Sequence, residues 1–222
     1  MQDIHKVAIL GAGGMGAYFA TQFLEVDEIT TSVVARGRRA KRLAEHGLVV
    51  NGQTYSIPFS SPDEVNEPAD LIIVAVKNYH LPTAAPNLKN MVGEHTTLLS
   101  VMNGLDSEEY LGSIYGMDKV LYAVSVAIDA VRDGNKITYS RPGKHYFGEA
   151  VNTQTSPRVQ RIQAAFEKAG IAYETPVDIM RMLWWKFMVN VGMNHASAVM
   201  HAQYGVFQSE PEAQALMDTL KR

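Results

Sequence analysis

Residues 7–24 read Val-Ala-Ile-Leu-Gly-Ala-Gly-Gly-Met-Gly-Ala-Tyr-Phe-Ala-Thr-Gln-Phe-Leu, and they form the most informative stretch of the chain. The apolar run Val7–Leu10 predicts a buried β-strand, since continuous apolar runs are typical of strands covered on both faces. The residues from Ala17 onward predict the opening of an amphipathic helix. A glycine-rich turn therefore connects a strand to a helix near the start of the chain.

The turn has the spacing G-x-G-x-x-G, formed by Gly11, Gly13 and Gly16. In this spacing one glycine permits a tight turn, one lets the backbone approach a pyrophosphate, and one allows close packing of the helix on the sheet. The helix N-terminus also offers unpaired N–H groups to phosphates. A purely structural turn is the alternative, but the position between strand and helix favours a dinucleotide site. The residues expected to contact the cofactor are Gly11, Ala12, Gly13, Gly14, Met15 and Gly16.

A second predicted strand, Ser32–Ala35, is followed directly by Arg36, with further arginines at 38 and 39. The residue about twenty positions beyond the last glycine contacts the ribose: an acid accepts from the 2′-hydroxyl of NAD, whereas arginine pairs with the 2′-phosphate of NADP. No Asp or Glu lies between residues 30 and 41. The later basic residues also fit the solvated face of the next helix, but Arg36 lies too close to the strand end for that. The sequence therefore predicts NADP(H), with Arg36 as a contact.

Strand and helix signals alternate through the first two thirds of the chain, which is typical of a parallel sheet covered by helices. Buried strands are predicted at 70–76 and 96–101, and a small hairpin at 48–57 turns at Asn51-Gly52. Strands at 120–128, 136–139 and 145–147 are expected to close the edge of the sheet.

A helix at 157–169 and a short strand at 171–174 follow, and from Asp178 onward the pattern is helical, with Pro176 at the boundary. The predicted fold class is α/β: a Rossmann-type parallel-sheet domain (1–177), followed by the start of an all-α second domain (178–222).

Three polar residues, Lys186, Asn190 and Asn194, recur every four positions in an otherwise apolar segment. On an α-helix this spacing puts them in one stripe about 80° wide. Burying a charge and two amides without partners would cost several kcal/mol, so the stripe should line a cavity that holds something polar. The alternative is a helix whose single wet face happens to carry these residues.

Two more polar residues follow predicted strands directly: Lys77 after Val76, and Asn103 after the strand that ends at Val101. Ligands of open α/β sheets gather beyond the carboxyl ends of the strands. Asn103-Gly104 would place an amide near a nicotinamide ring, although Asn-Gly is also a common turn. We expect all five polar residues to converge on one cleft.

Composition narrows the function further. The net charge of −3 makes nucleic acid an unsuitable partner, and no run of about eighteen apolar residues predicts a membrane span. The absence of cysteine excludes disulfides and thiolate chemistry, and the seven histidines show no metal-ligand spacing. With no signal-peptide pattern, the expectation is a soluble, cytoplasmic protein without a metal.

The chain resembles the ketopantoate reductase family (2-dehydropantoate 2-reductases) over essentially its whole length. The resemblance rests on Gly11–Gly16, the arginine after the second strand, Val76-Lys77 with Asn103-Gly104, and above all Lys186-x-x-x-Asn190-x-x-x-Asn194. It implies NADPH-dependent reduction of 2-dehydropantoate, a small 2-oxo acid, to pantoate, a step towards pantothenate and coenzyme A.

The resemblance also implies roles for single residues. Lys186 would be the proton donor, Asn190 and Asn194 would hold the substrate, Asn103 would touch substrate and cofactor, and Ala130 would pack on the cofactor. General chemistry agrees with the first role, because hydride transfer to a ketone leaves negative charge on an oxygen that an ammonium can stabilise and protonate.

Two other functions stay open. Dehydrogenases of the hydroxyisobutyrate and 6-phosphogluconate type also use a Lys-x-x-x-Asn helix, although no phosphate-binding cluster lies near Lys186. A non-catalytic NADPH-binding module is the other alternative. The chain also departs from the family pattern: His195 stands where proline is common, and Tyr204–Phe207 replaces a segment that carries a substrate-binding asparagine in some members.

Members of the family are usually longer, and the later part of their helical domain adds further contacts. The predicted helix at 180–200 is apolar on nearly all sides, so it needs partners on nearly all sides. Within this chain only the segment 211–220 remains to cover it. The expectation is either a homodimer through this helix or a longer native protein.

Overall fold

The computed structural model describes residues 3–64 and 67–219, and it leaves the side chain of Arg39 outside the description. The strands, in chain order, are β1 (Lys6–Leu10), β2 (Thr30–Val34), β3 (Leu48–Val50), β4 (Gln53–Tyr55), β5 (Phe59–Ser60), β6 (Leu71–Val74), β7 (Thr97–Ser100), β8 (Val120–Ile128), β9 (Val131–Asp133), β10 (Lys136–Thr138), β11 (Pro142–Gly148) and β12 (Tyr173–Glu174).

The helices are α1 (Gly14–Leu24), α2 (Gly37–His46), α3 (Leu81–Ala84), α4 (Ser107–Tyr115), α5 (Pro157–Lys168), α6 (Ile179–Met200), α7 (Val206–Ser209) and α8 (Pro211–Thr219). None of these helices is both long enough and apolar enough to span a membrane.

An eight-stranded sheet forms the centre of the fold, in the order β12-β11-β8-β7-β6-β1-β2-β5. The strands from β5 to β8 pair in parallel, while β11 is antiparallel to β8. The parallel strands β6 and β7 and residues 7–10 of β1 are fully buried, as their continuous apolar runs predict. The α/β fold class is therefore confirmed, and the predicted bounds of β2, β6 and β7 lie within two residues of the observed ones.

A second, four-stranded sheet has the order β4-β3-β10-β9. The hairpin predicted at 48–57 is present as β3 and β4, with Asn51 and Gly52 at positive φ of 48° and 85°. The strand predicted at 136–139 is present as β10, but its expected place was wrong: it does not close the main sheet and pairs in parallel with β3. That pairing joins segments far apart in sequence, so local patterning could not reveal it.

Helix α1 is buried on nearly all sides, with Tyr18, Phe19 and Phe23 each at most 1% exposed, so the amphipathic pattern predicted for it was wrong. The reason is the second sheet, since α1 contacts β3 and β10 as well as β1 and β2. Phe19 and Phe23 pack against Phe166 of α5, with ring centroids 5.8 and 6.0 Å apart. Each fully buried phenylalanine stabilises the fold by about 1.5–3 kcal/mol.

The helical part begins with the long helix α6, whose N-cap Asp178 accepts from the Arg181 N–H at 2.9 Å. Ile179 and Leu183 pack it against Val124 of β8, so α6 lies on the sheet end rather than apart from it. Farther along, Ala196 packs with residues of α7 and α8. The boundary between 177 and 178 stays a prediction, because α6 shares a hydrophobic cluster with β8.

Candidate active site

Two adjoining cavities lie at the carboxyl ends of the parallel strands. The large cavity, about 940 Å³, lies between the glycine turn and the residues that follow β2, β6 and β7. The small cavity, about 490 Å³, lies between the sheet end and α6. Both are lined by Gly14, Met15, Lys77, Val101, Asn103 and Ala130, so they form one continuous cleft.

The glycine turn is shaped by close backbone approaches. Gly11 has φ of 106°, and a Cβ there would come 2.7 Å from the carbonyl oxygen of Ala75. A Cβ on Gly16 would come 1.7 Å from the carbonyl oxygen of Gly11, so no other residue fits in this first turn of α1. The turn is therefore held tightly against β6, and α1 starts directly from it.

The predicted cofactor contacts divide into two groups at this turn. Gly11, Gly13, Gly14 and Met15 line the large cavity, whereas Ala12 and Gly16 do not. Ala12 is 1% exposed, so its side chain belongs to the core. The N-cap Gly13 provides no side-chain cap for α1. The first N–H groups of the helix therefore suit an anion such as a pyrophosphate, which is what a dinucleotide would bring.

Arg36 lines the large cavity and occupies the N-cap position of α2, without a side-chain hydrogen bond to that helix. One terminal nitrogen donates to Oδ1 of Asn87, and the other lies 3.9 Å from Oδ2 of Asp63. Arg36 thus presents a held, exposed guanidinium beside the cavity. Arg38 is also exposed but does not line the cavity, and the Arg39 side chain lies outside the described part.

Arg132 of β9 also lines the large cavity, and the sequence did not point to it. Its Nη1 donates to the carbonyl oxygen of Ala12 at 2.8 Å, and its Nε donates to that of Gly134 at 2.8 Å. The second sheet therefore places a positive charge beside the glycine turn. No local signal could reveal this, because 120 positions separate Arg132 from Ala12.

The turn that carries Asn103 rests on a buried hydrogen-bond chain. Ser100 Oγ and Ser107 Oγ are 2.7 Å apart, and Ser107 Oγ donates to Oε2 of Glu108 at 2.7 Å. Burial raises the pKa of Glu108, although the bond from Ser107 opposes the rise. The chain ties the end of β7 to the start of α4, so the exposed Asn103 is presented from a fixed base.

Lys186, Asn190 and Asn194 all line the small cavity, on the face of α6 turned to the sheet end. Lys77 and Asn103 line it from the opposite side, so the five polar residues named from sequence do meet in one cleft. Lys186 is half-buried, and burial lowers the pKa of its ammonium. Within the described residues no carboxylate forms an ion pair with it.

Two further polar residues line the small cavity, although the sequence predicted a role in the site for neither and marked Tyr204 only as part of a departure from the family pattern. Ser125 of β8 lies with its Oγ 2.8 Å from Nδ1 of the buried His145, whose pKa falls to about 4 because burial disfavours the charged ring. Tyr204 lies in the turn between α6 and α7, and its hydroxyl donates to Oδ1 of Asn194. Each depends on a tertiary contact, so neither has a local sequence signal.

The Rossmann-type sheet, the glycine turn and the helical second part define a two-domain protein of the dinucleotide-binding class. The family model for ketopantoate reductase PanE/ApbA matches residues 7–152, and the model for the C-terminal part of ketopantoate reductase PanE/ApbA matches residues 178–222. The chain belongs to the ketopantoate reductase family, a family of oxidoreductases.

Individual relatives are distant. A 2-dehydropantoate 2-reductase of Streptococcus pyogenes serotype M6 is 26% identical over 213 residues, which cover 92% of this chain and 67% of the relative. The chain therefore spans about two thirds of the length of that relative.

Solved structures show the same fold. The crystal structure of 2-dehydropantoate 2-reductase from Geobacter metallireducens has a TM-score of 0.83 at 24% identity, covering 96% of this chain and 71% of that one. A ternary structure of D-mandelate dehydrogenase with NADH and anilino(oxo)acetate has a TM-score of 0.85 at 19% identity, covering 96% and 70% of the two chains.

Proposed function

We infer that the protein reduces a 2-oxo acid, with 2-dehydropantoate as the substrate and NADPH as the cofactor. The observation that carries this proposal is the half-buried Lys186 ammonium, which lines a small cavity continuous with the large one beside the glycine turn. The family to which the chain belongs, and the name of its Streptococcus relative, support the choice of substrate. The proposal includes the cytoplasmic location expected from the sequence and the place in pantothenate synthesis that the family resemblance implies.

The residues that line the large cavity suit the chemistry of the cofactor. The uncapped start of α1 would take the pyrophosphate, Arg36 would take the 2′-phosphate, and Ala130 would pack on the cofactor above Gly14. Lys77 and Asn103 would bound its reactive end, because both cavities share them. When bound, the cofactor supplies the hydride, and the remaining tasks fall to the chain's own residues.

Lys186 would act as the general acid. As negative charge develops on the ketone oxygen, the ammonium stabilises it and donates one proton to it, which leaves a 2-hydroxy acid and a neutral lysine amine. Solvent then returns a proton to the amine. Because burial lowers the pKa of Lys186, its ammonium gives up a proton more readily than an exposed lysine does.

The asparagines would orient the substrate. Asn190 and Asn194 lie one and two helical steps of four residues beyond Lys186, so the three groups contact successive parts of one small molecule. Asn103 faces them across the cavity. Amides hold carboxylate and hydroxyl groups by hydrogen bonds without adding charge, which leaves Lys186 as the positive group on this face of α6.

The test is NADPH consumption with 2-dehydropantoate and a panel of other 2-oxo acids, alongside NADP⁺ reduction with 3-hydroxyisobutyrate and 6-phosphogluconate. The expected result is turnover with 2-dehydropantoate that Lys186→Ala removes and the exposed-lysine control Lys89→Ala retains. Turnover only with 3-hydroxyisobutyrate or 6-phosphogluconate would favour a dehydrogenase of the hydroxyisobutyrate or 6-phosphogluconate type. Tight NADPH binding with no turnover of any substrate would favour a non-catalytic module.

A further inference from the structure

Tyr204 reaches back to the substrate stripe from outside the helix that carries it. The two residues are ten positions apart, yet the Tyr204 hydroxyl donates to Oδ1 of Asn194, and both side chains line the small cavity. Tyr204 is 53% exposed, so its ring is not part of the core. Its hydroxyl nevertheless makes a hydrogen bond to the side-chain amide of Asn194.

The turn that presents Tyr204 is fixed at both ends. Helix α6 ends at His201 in the left-handed conformation (φ 49°, ψ 36°), and Ser197 Oγ donates to the Ala202 carbonyl at 2.7 Å. On the other side, Phe207 is 2% exposed and packs with Ala196 and Ala213. Tyr204 is therefore held in place by backbone and core contacts that do not involve its own ring.

The Asn194 amide meets the Tyr204 hydroxyl with its oxygen. An asparagine side chain has one oxygen acceptor and one nitrogen that carries two donors. Because Oδ1 is turned to Tyr204, the nitrogen lies on the other side of the amide. A group that meets Asn194 in the cavity thus meets a donor.

The distance between Asn194 and Lys186 along α6 indicates which part of the substrate Asn194 meets. Asn194 is eight residues beyond Lys186, which is about 12 Å along a helix. The keto and carboxylate groups of a 2-oxo acid are adjacent, so a keto oxygen near Lys186 leaves the opposite, distal end of the molecule for Asn194. The distal group must then offer a lone pair.

We propose that Tyr204 is a positioning residue that holds the Asn194 amide with its N–H groups toward the small cavity, so that the protein selects 2-oxo acids with a hydrogen-bond acceptor at the distal end. The inference rests on the proposed function, and it adds a specificity element to it. A hydroxyl oxygen at C4 of the substrate would meet this requirement, whereas an apolar chain of the same shape would leave the amide unpaired.

The test uses two substrates that differ in one group: 2-dehydropantoate, which has the C4 hydroxyl, and 3,3-dimethyl-2-oxobutanoate, which lacks it. Tyr204→Phe removes only the hydroxyl that orients Asn194. It should raise KM for 2-dehydropantoate about three- to tenfold, the worth of one neutral hydrogen bond, with kcat nearly unchanged. KM for 3,3-dimethyl-2-oxobutanoate should stay the same.

Two further variants make the readout specific. Tyr173→Phe removes a tyrosine hydroxyl that bonds a surface carboxylate, Glu167, outside both cavities, and it should leave both KM values unchanged. Asn194→Asp keeps an acceptor for Tyr204 but presents an acceptor instead of a donor to the cavity. It should therefore lose the preference for the hydroxylated substrate.

The affinity for both acids is measured by calorimetry in addition to turnover. A failure of the proposed reaction can then be distinguished from a failure of the positioning role of Tyr204. A parent protein that binds the acids but reduces neither contradicts the proposed reaction, and the affinity ratio still reports on Tyr204. An unchanged ratio in Tyr204→Phe, or an equal loss for both acids, would overturn the positioning role.

Discussion

Nη1 of Arg36 lies 3.9 Å from Oδ2 of Asp63, while the other terminal nitrogen of the same guanidinium donates to Asn87. The guanidinium is thus held beside the large cavity with a carboxylate next to it. A phosphate that binds Arg36 must compete with that carboxylate for the positive charge. If Arg36 binds the 2′-phosphate as proposed, this pair affects the preference for NADPH over NADH.

Arg36→Ala should remove most of the preference for NADPH over NADH. One charge-assisted contact to a phosphate is worth about 1.5–3 kcal/mol, or roughly ten- to a hundredfold in affinity. Fluorescence titration of parent and variant with each cofactor measures the ratio. Arg38→Ala serves as control, since Arg38 does not line the cavity. Equal affinity of the parent protein for both cofactors would contradict the assignment.

Asp63→Asn should have the opposite effect and tighten NADPH binding. The carboxylate is largely exposed, and exposed pairs are worth about 0.2–1 kcal/mol, so a gain of up to about fivefold is expected. NADH affinity should not change, because NADH has no 2′-phosphate. Glu64→Gln removes the neighbouring acid as a control for overall charge. A gain of the same size for NADH, or in the control, would show that Arg36 and Asp63 are not coupled.

Lys186→Ala should lower turnover by about a hundredfold or more, since general acid catalysis contributes about 10²–10⁴. NADPH affinity should stay nearly intact, because Lys186 lines the small cavity and not the large one. In the parent, kcat/KM should fall as pH rises through the pKa of Lys186, which burial places below the usual lysine value. Near-normal turnover of Lys186→Ala would indicate that the polar residues on this face of α6 have only a structural role.

The buried His145 should make the fold sensitive to mild acid. Burial lowers its pKa from 6.5 to about 4. Between these pH values the unfolded chain binds the proton and the folded protein does not, so the free energy of unfolding falls as pH falls through this window. The full effect is about 3 kcal/mol.

Urea denaturation at about pH 7.5 and about pH 5 measures the part of this loss that occurs above pH 5, about 2 kcal/mol. His145→Phe keeps an aromatic ring against Tyr18 and Phe19, and it should reduce the pH dependence of the free energy of unfolding. His46→Gln, at an exposed histidine, should leave it unchanged. A variant of His145 with the same pH dependence as the parent would assign the loss to other groups.

The apolar face of α6 should support self-association. Trp184, Trp185 and Phe187 are 58%, 44% and 39% exposed, although α8 packs against the later part of the helix. A contiguous exposed apolar patch of this kind marks an interaction surface. Sedimentation velocity over a hundredfold range of concentration should show a dimer, and a double Trp184→Lys, Trp185→Lys variant should shift it to monomer. Val131→Lys, at another exposed apolar residue, should leave the dimer intact. A parent protein that stays monomeric at all concentrations would contradict the prediction.

The sequence was sufficient wherever the information was local. Continuous apolar runs located β1, β6 and β7, and the glycine spacing located the turn into α1, because period and turn chemistry are properties of neighbouring residues. The four-residue spacing of Lys186, Asn190 and Asn194 placed them on one face of α6 for the same reason. That face does line a cavity, so their meeting with Lys77 and Asn103 was foreseeable.

What depended on pairs distant in sequence was decided by the tertiary structure. The pairing of β10 with β3 built a second sheet, which buried α1 on its outer side and brought Arg132 to Ala12. The turn after α6 brought Tyr204 back to Asn194, and the pairing of β8 with β11 put His145 directly opposite Ser125. The pattern of a sequence predicts which face of a helix or strand a residue occupies, but not which other element packs on that face. The packing partner is determined only by the tertiary structure of the whole chain.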